Sequence, residues 1–147
     1  MLLNAHTYYS LRYGTLPPPA LTERAAQLGY TAMALTDINN TSCSYEFVRC
    51  CEKAGIKPVL GLEFRKEGRC LYIGLARNRE GLRELNQFLG EASIEGRPLP
   101  EVAPPMQHAY IIYPRLVKPI QAFREEEFLG VRPEHVARLF GHELLQY

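Results

Sequence analysis

The sequence has almost no net charge, no long apolar run and no C-x-x-C cysteine pair, and each absence removes a class of function. Seventeen basic residues stand against sixteen acidic ones, a formal charge of +1. Such balance leaves no electrostatic footprint for nucleic acid and no polybasic patch for a lipid surface. Apolar stretches last only a few residues, too short to span a bilayer. The opening "MLLNAHTYYS" lacks the basic start and apolar core of a signal peptide. A cytoplasmic protein with no membrane attachment is the expectation. The four cysteines, Cys43, Cys50, Cys51 and Cys70, form no C-x-x-C pair of the kind a zinc ribbon or redox site uses. Cys50 and Cys51 are adjacent, a poor geometry for a mutual disulfide, so reduced thiols in or near the core are expected. There is also no G-x-x-x-x-G-K-[ST], no G-x-G-x-x-G after a strand and no G-x-S-x-G elbow.

What is present is an alternation of strand and helix signals on a chain of 147 residues, enough for one domain. "LLNA" (2–5) reads as a short strand. Pro17, Pro18 and Pro19 open a helix whose apolar residues Leu21, Ala25 and Leu28 share a face, and Gly29 ends it. "TAMALTD" (31–37) is apolar on both faces, as a parallel strand covered by helices should be. Thr41, Ser42 and Ser44 are N-cap candidates for a second helix that buries Phe47, Val48 and Cys51 and stops at Gly55. "IKPVLGLEF" (56–64) and "RCLYIGLA" (69–76) are strands joined by a short hairpin. Asn78 caps a third helix that presents Leu82, Leu85 and Leu89. A proline-rich stretch around 91–108 reads as surface loop, and "AYIIY" (109–113) and "EFLGV" (127–131) as further strands. Pro133 opens a last helix carrying Val136, Leu139 and Phe140, and the chain ends in or just after it, like an interrupted architecture. The order predicts an α/β fold with mainly parallel strands.

Three ionisable residues fall where strands end: His6, Asp37 and Glu63. An imidazole and two carboxylates at one sheet edge have the donor types of a divalent-metal site. Each also has a plainer reading. A histidine after a strand is commonly a hydrogen-bonded structural residue, and Asp37 before "INN" suits accepting N–H bonds in the turn. His135 and His142 are two helical turns apart, too far to share an ion. His108 precedes a strand and is the one further histidine that could join the site. Tyr8, Tyr9 and Tyr13 cluster beside His6, as a stacking surface for bases or as loop packing.

The segment "HTYYSLRYGTLPPPALTERAAQLGYTAMALTDINNTSCSYEFVRCCEKAGIKPVLGLEF" resembles the opening of a PHP (polymerase and histidinol phosphatase) domain, in the form found at the N-terminus of bacterial replicative DNA polymerase III alpha subunits. The pattern H-x-H-S-x-Y-S-L-x-D-G, then A-L-T-D-H-x-N, then A-G-I-K-P-I-x-G-x-E runs in order and spacing through residues 1–89 and is loose over 90–147. The resemblance implies a partial or distorted (β/α) barrel, either one PHP-like domain over 1–147 or the N-terminal portion of one. It also implies a metal centre from which ligands have gone. Asn4 stands for the first histidine, Tyr13 for the acidic residue before the glycine and Ile38 for the histidine after Asp37. His6, Asp37 and Glu63 remain, and Cys70 is the nearest donor where the fourth strand usually brings a histidine.

The expectation drawn from this is a non-catalytic scaffold of a polymerase subunit. Its partners are the remaining domains of that subunit, DNA is met only through the parent protein, and no cofactor is held beyond a divalent zinc or manganese ion at low occupancy. The alternative is a metal-dependent phosphoesterase or 3′→5′ exonuclease working with the residual ligands. A third possibility is a small α/β binding module of superficial likeness, which would be favoured by strands one, two and three not being parallel neighbours.

Overall fold

The computed structural model describes residues 1–132. Six strands and three helices alternate along the chain: β1 (Leu2–Ala5), α1 (Pro18–Gln27), β2 (Ala32–Leu35), α2 (Ser44–Ala54), β3 (Lys57–Lys66), β4 (Arg69–Ala76), α3 (Arg79–Ile94), β5 (Ala109–Tyr113) and β6 (Glu127–Leu129). They form one sheet in the order β1-β2-β3-β4-β5-β6. The β1–β2, β2–β3 and β5–β6 pairs are parallel, and β4 runs antiparallel to both its neighbours. The first three strands are therefore parallel neighbours, not the arrangement that would favour the binding-module reading. The helix expected from Pro133, with His135 and His142, lies outside the described residues.

The local chemistry explains most of these elements. Glu67 and Gly68 both have positive φ (50° and 78°), the two-residue turn whose twist suits a tight hairpin. Asn78 caps α3, its side-chain oxygen accepting from the Gly81 N–H at 3.0 Å. Two details depart from the sequence reading. The buried residues of α1 are Pro18, Thr22 and Ala25, while Leu28 is 60% exposed. Thr22 tolerates burial because its hydroxyl donates to the carbonyls of Pro18 and Pro19. At α2 the N-cap position falls on Cys43 with no side-chain cap. Thr41 instead donates to Asn86 Oδ1 at 2.7 Å, and the Ser42 N–H is taken by Asn40 Oδ1.

The helices cover one face of the sheet. Met33, Leu35, Phe47, Cys51 and Ile56 pack under α1 and α2. Leu62, Phe64, Tyr72, Ile111 and Tyr113 of the sheet pack with Leu85 of α3. On the other face Ala34, Ile73 and Leu75 meet Val59, Cys70 and Ile112. Cys43 and Cys51 are buried, and burial pushes each thiol up to about 11, so both are inert core groups. This layout brings the carboxyl ends of β1, β2 and β3 to one edge, and that edge carries the ionisable residues.

Candidate functional site

Asp37 leaves β2 pointing into the loop that follows β1. It is 1% exposed and accepts three hydrogen bonds: the Thr7 N–H at 2.7 Å, the Thr7 hydroxyl at 2.6 Å and the Ser10 hydroxyl at 2.6 Å. Ser10 Oγ in turn accepts the Ile38 N–H at 2.9 Å. The carboxylate thus closes a ring between the β1 loop and the end of β2. Gly14 completes it, because a Cβ there would lie 1.9 Å from the Thr7 carbonyl oxygen.

Glu63 lies one strand further along. Its side chain is 2% exposed and both oxygens are engaged. Oε2 meets His6 Nε2 at 3.0 Å and the Asn4 amide Nδ2 at 3.3 Å. Oε1 accepts Arg65 Nε at 2.6 Å and pairs also with Arg65 Nη2, a two-pronged contact. Residues 63 and 65 are two apart on a strand, so both side chains leave the same face. Burial pushes the Glu63 carboxyl up, but the bonds and charges of His6 and Arg65 outweigh it and hold it below the usual carboxylate range.

Arg65 is held from every side. Its side chain is 15% exposed, the guanidinium carbon sits 3.9 Å from the Tyr13 ring centroid, and Nη1 donates to the Gly68 carbonyl at 3.2 Å. The Asn39 side chain pairs with the Arg65 backbone through two bonds of 2.8 and 2.9 Å, as a neighbouring strand would. Asn4 is fixed by the Thr36 hydroxyl, which donates to its Oδ1 at 2.6 Å. Cys70 lies against Glu63, its thiol pushed up to about 12 by burial first and by the Glu63 charge next.

The three residues expected to share a site therefore come to one edge but do different things. His6 and Glu63 touch each other, while Asp37 is turned away into the Thr7–Ser10 ring. Tyr13 reaches the site as a stacking partner, and Ile38 contributes only backbone, bridging to Glu63. His108 sits at the opposite edge: its N–H donates to Glu84 Oε2 and its carbonyl accepts the Arg77 N–H. It lies four residues before Ile112, which shares a row with Ile73 and Glu63, so it is about 13 Å from that row. Among the described residues no group of three or more His, Cys, Asp and Glu side chains is arranged to hold a metal ion. Sequence reasoning passed over Arg65. The signal was the same-face pair of opposite charges in "EFR".

A largely parallel sheet with helices on one face and a polar cluster at the carboxyl edge of its parallel strands defines the chain as an α/β domain. Within that class the assignment is specific: the profile of the PHP domain matches residues 3–123, and the chain belongs to that family. A DNA polymerase III subunit alpha from Streptococcus pyogenes is 34% identical over 86 residues, covering 56% of this chain and 8% of that protein. An error-prone DNA polymerase from Symbiobacterium thermophilum is 34% identical over 96 residues, 65% of this chain and 9% of its own length. The chain thus spans less than a tenth of these relatives. A crystal structure described as a metal-dependent phosphoesterase from Bifidobacterium adolescentis shares the fold, with a TM-score of 0.50 and 22% identity over 63% of this chain and 32% of its own.

Proposed function

We propose that this chain is a non-catalytic PHP scaffold that supports the other domains of a replicative-type DNA polymerase subunit. The observation that carries the reading is the state of the two carboxylates. Asp37 and Glu63 have their oxygens committed to donors from the protein itself, and a metal ion would have to displace a guanidinium, an imidazole or a hydroxyl to gain a ligand. The donors as arranged do not fit a metal centre, so no hydrolytic step is derived through one. In this reading the protein works in the cytoplasm, its partners are the subunit's remaining domains, and DNA is contacted through those domains.

Calorimetric titration with zinc and manganese, beside a phosphodiester hydrolysis assay, tests the reading on wild type, His6→Ala and Asp37→Asn. The expected outcome is no stoichiometric binding and no turnover in any of the three. One observation favours the phosphoesterase reading, the direct contact of His6 with Glu63 at the sheet edge. Metal binding by wild type that is lost in His6→Ala, together with metal-dependent hydrolysis, would establish that reading instead.

A further inference from the structure

We propose that Arg65 is the resident cation of this site: its guanidinium takes the place of a divalent ion, neutralising Glu63 and keeping metals out. The proposal deepens the scaffold reading and rests on it. A carboxylate with 2% exposure needs a counter-charge, because an unpaired buried ion costs several kcal/mol. His6 provides a hydrogen bond through Nε2, and Asn4 provides a neutral one. The permanent charge comes from Arg65, which cannot lose its proton in this setting.

The surroundings are built for a planar cation. Tyr13 offers its ring face to the guanidinium at 3.9 Å, and Glu63 Oε1 and the Gly68 carbonyl receive its N–H groups in the plane. A surface ion pair needs no such enclosure, and the pairs of Arg83 with Glu80 and of Arg97 with Glu95 lie open, their side chains being more than half exposed. Of the six positions that the resemblance marks as ligands or former ligands, 63 is half of this pair, 4 and 6 bond to it and 13 stacks over it. The remaining two, 37 and 38, belong to the neighbouring ring.

Thermal melts of the 147-residue chain in EDTA, in zinc chloride and without additive test this. Wild type should melt at one temperature in all three. R65A should melt about 10 °C lower, since it strands the carboxylate. R65K, which keeps a charge but loses the fork, should fall between. The double variant E63Q/R65A should melt above R65A, because the stranded charge is gone. Zinc should raise the melting temperature of R65A but not that of wild type or of H6A/R65A.

An R65A melt equal to wild type, a double variant no more stable than R65A, or no effect of zinc on R65A overturns the proposal. So does zinc stabilising wild type as strongly as R65A. Should R65A fail to fold, R65K and E63Q/R65A carry the same comparison. Phosphodiester hydrolysis by wild type is a separate result, and it would overturn the scaffold reading itself.

Discussion

Asp37 illustrates how a residue with the chemistry of a ligand can act as a clasp. Three short hydrogen bonds from Thr7 and Ser10 tie the loop after β1 to the end of β2, and bonds to a charged acceptor are the stronger kind. Asp37→Ala should cost about 3 kcal/mol in urea unfolding, and Asp37→Asn somewhat less. Thr7→Val, removing one donor, should cost about 1–2 kcal/mol. The sequence placed Asp37 at a strand end and offered both the metal and the turn reading. It could not choose, because the choice depends on two hydroxyls some thirty residues earlier. Arg65 escaped notice for a related reason. Its meaning comes from Tyr13, which is remote in sequence and arrives only when the β1 loop folds over β3.

At the scale of elements, β6 is held by a buried charge cluster that no sequence pattern announced. The Glu127 side chain is 3% exposed; it accepts the Tyr113 hydroxyl at 2.8 Å, the Arg124 N–H at 2.6 Å and Lys118 Nζ at 2.5 Å. Burial alone would raise its carboxyl, but Lys118, Arg124 and Tyr113 together bring it below its ordinary value of 4.5. A carboxylate lowered by folding contributes stability that is complete above the unfolded value and lost as pH falls through the folded one. Glu127→Gln should therefore be destabilising at pH 7 and should flatten the loss of stability below pH 4.5, as urea midpoints measured across pH will show. At α3, Gly81→Ala should destabilise by about 2 kcal/mol or more, because a Cβ there would lie 1.9 Å from the His108 carbonyl oxygen. The strands and helices themselves were largely legible, because period-2 and period-3.6 patterns, prolines and Asn78 are local signals. The buried face of α1 was not, since apolarity alone favours Leu28 over a threonine that satisfies its own hydroxyl.

As a whole molecule, the sheet has two groups of helices on one face, with β3 shared between them. Leu60 packs with the α1–α2 cluster and Leu62 with the α3 cluster, two residues apart on the same strand. The two cores should therefore unfold together. Amides of β2, beside the α1–α2 cluster, and of β5, beside the α3 cluster, should lose their protection from hydrogen exchange at the same urea concentration. Two separated transitions would show that β3 does not couple the halves. The largely parallel sheet could be read from the alternation of elements, and its open form agrees with the partial barrel expected from the strand count. Among the described residues β1 pairs only with β2 and β6 only with β5, so the strands stop short of a closed ring.

The contact between Arg65 and Glu63 also bears on whether a site of this kind can be reversed. Placing a histidine at Ile38 or at Asn4, one at a time, would bring a new donor to a carboxylate already balanced by a covalently attached charge, and would gain nothing from it. Removing Arg65 first would strand Glu63 before any replacement had arrived. Each single replacement toward a metal centre thus gives a neutral or a weakened variant. On the role proposed for Arg65, building a metal centre into this chain calls for several replacements made at once.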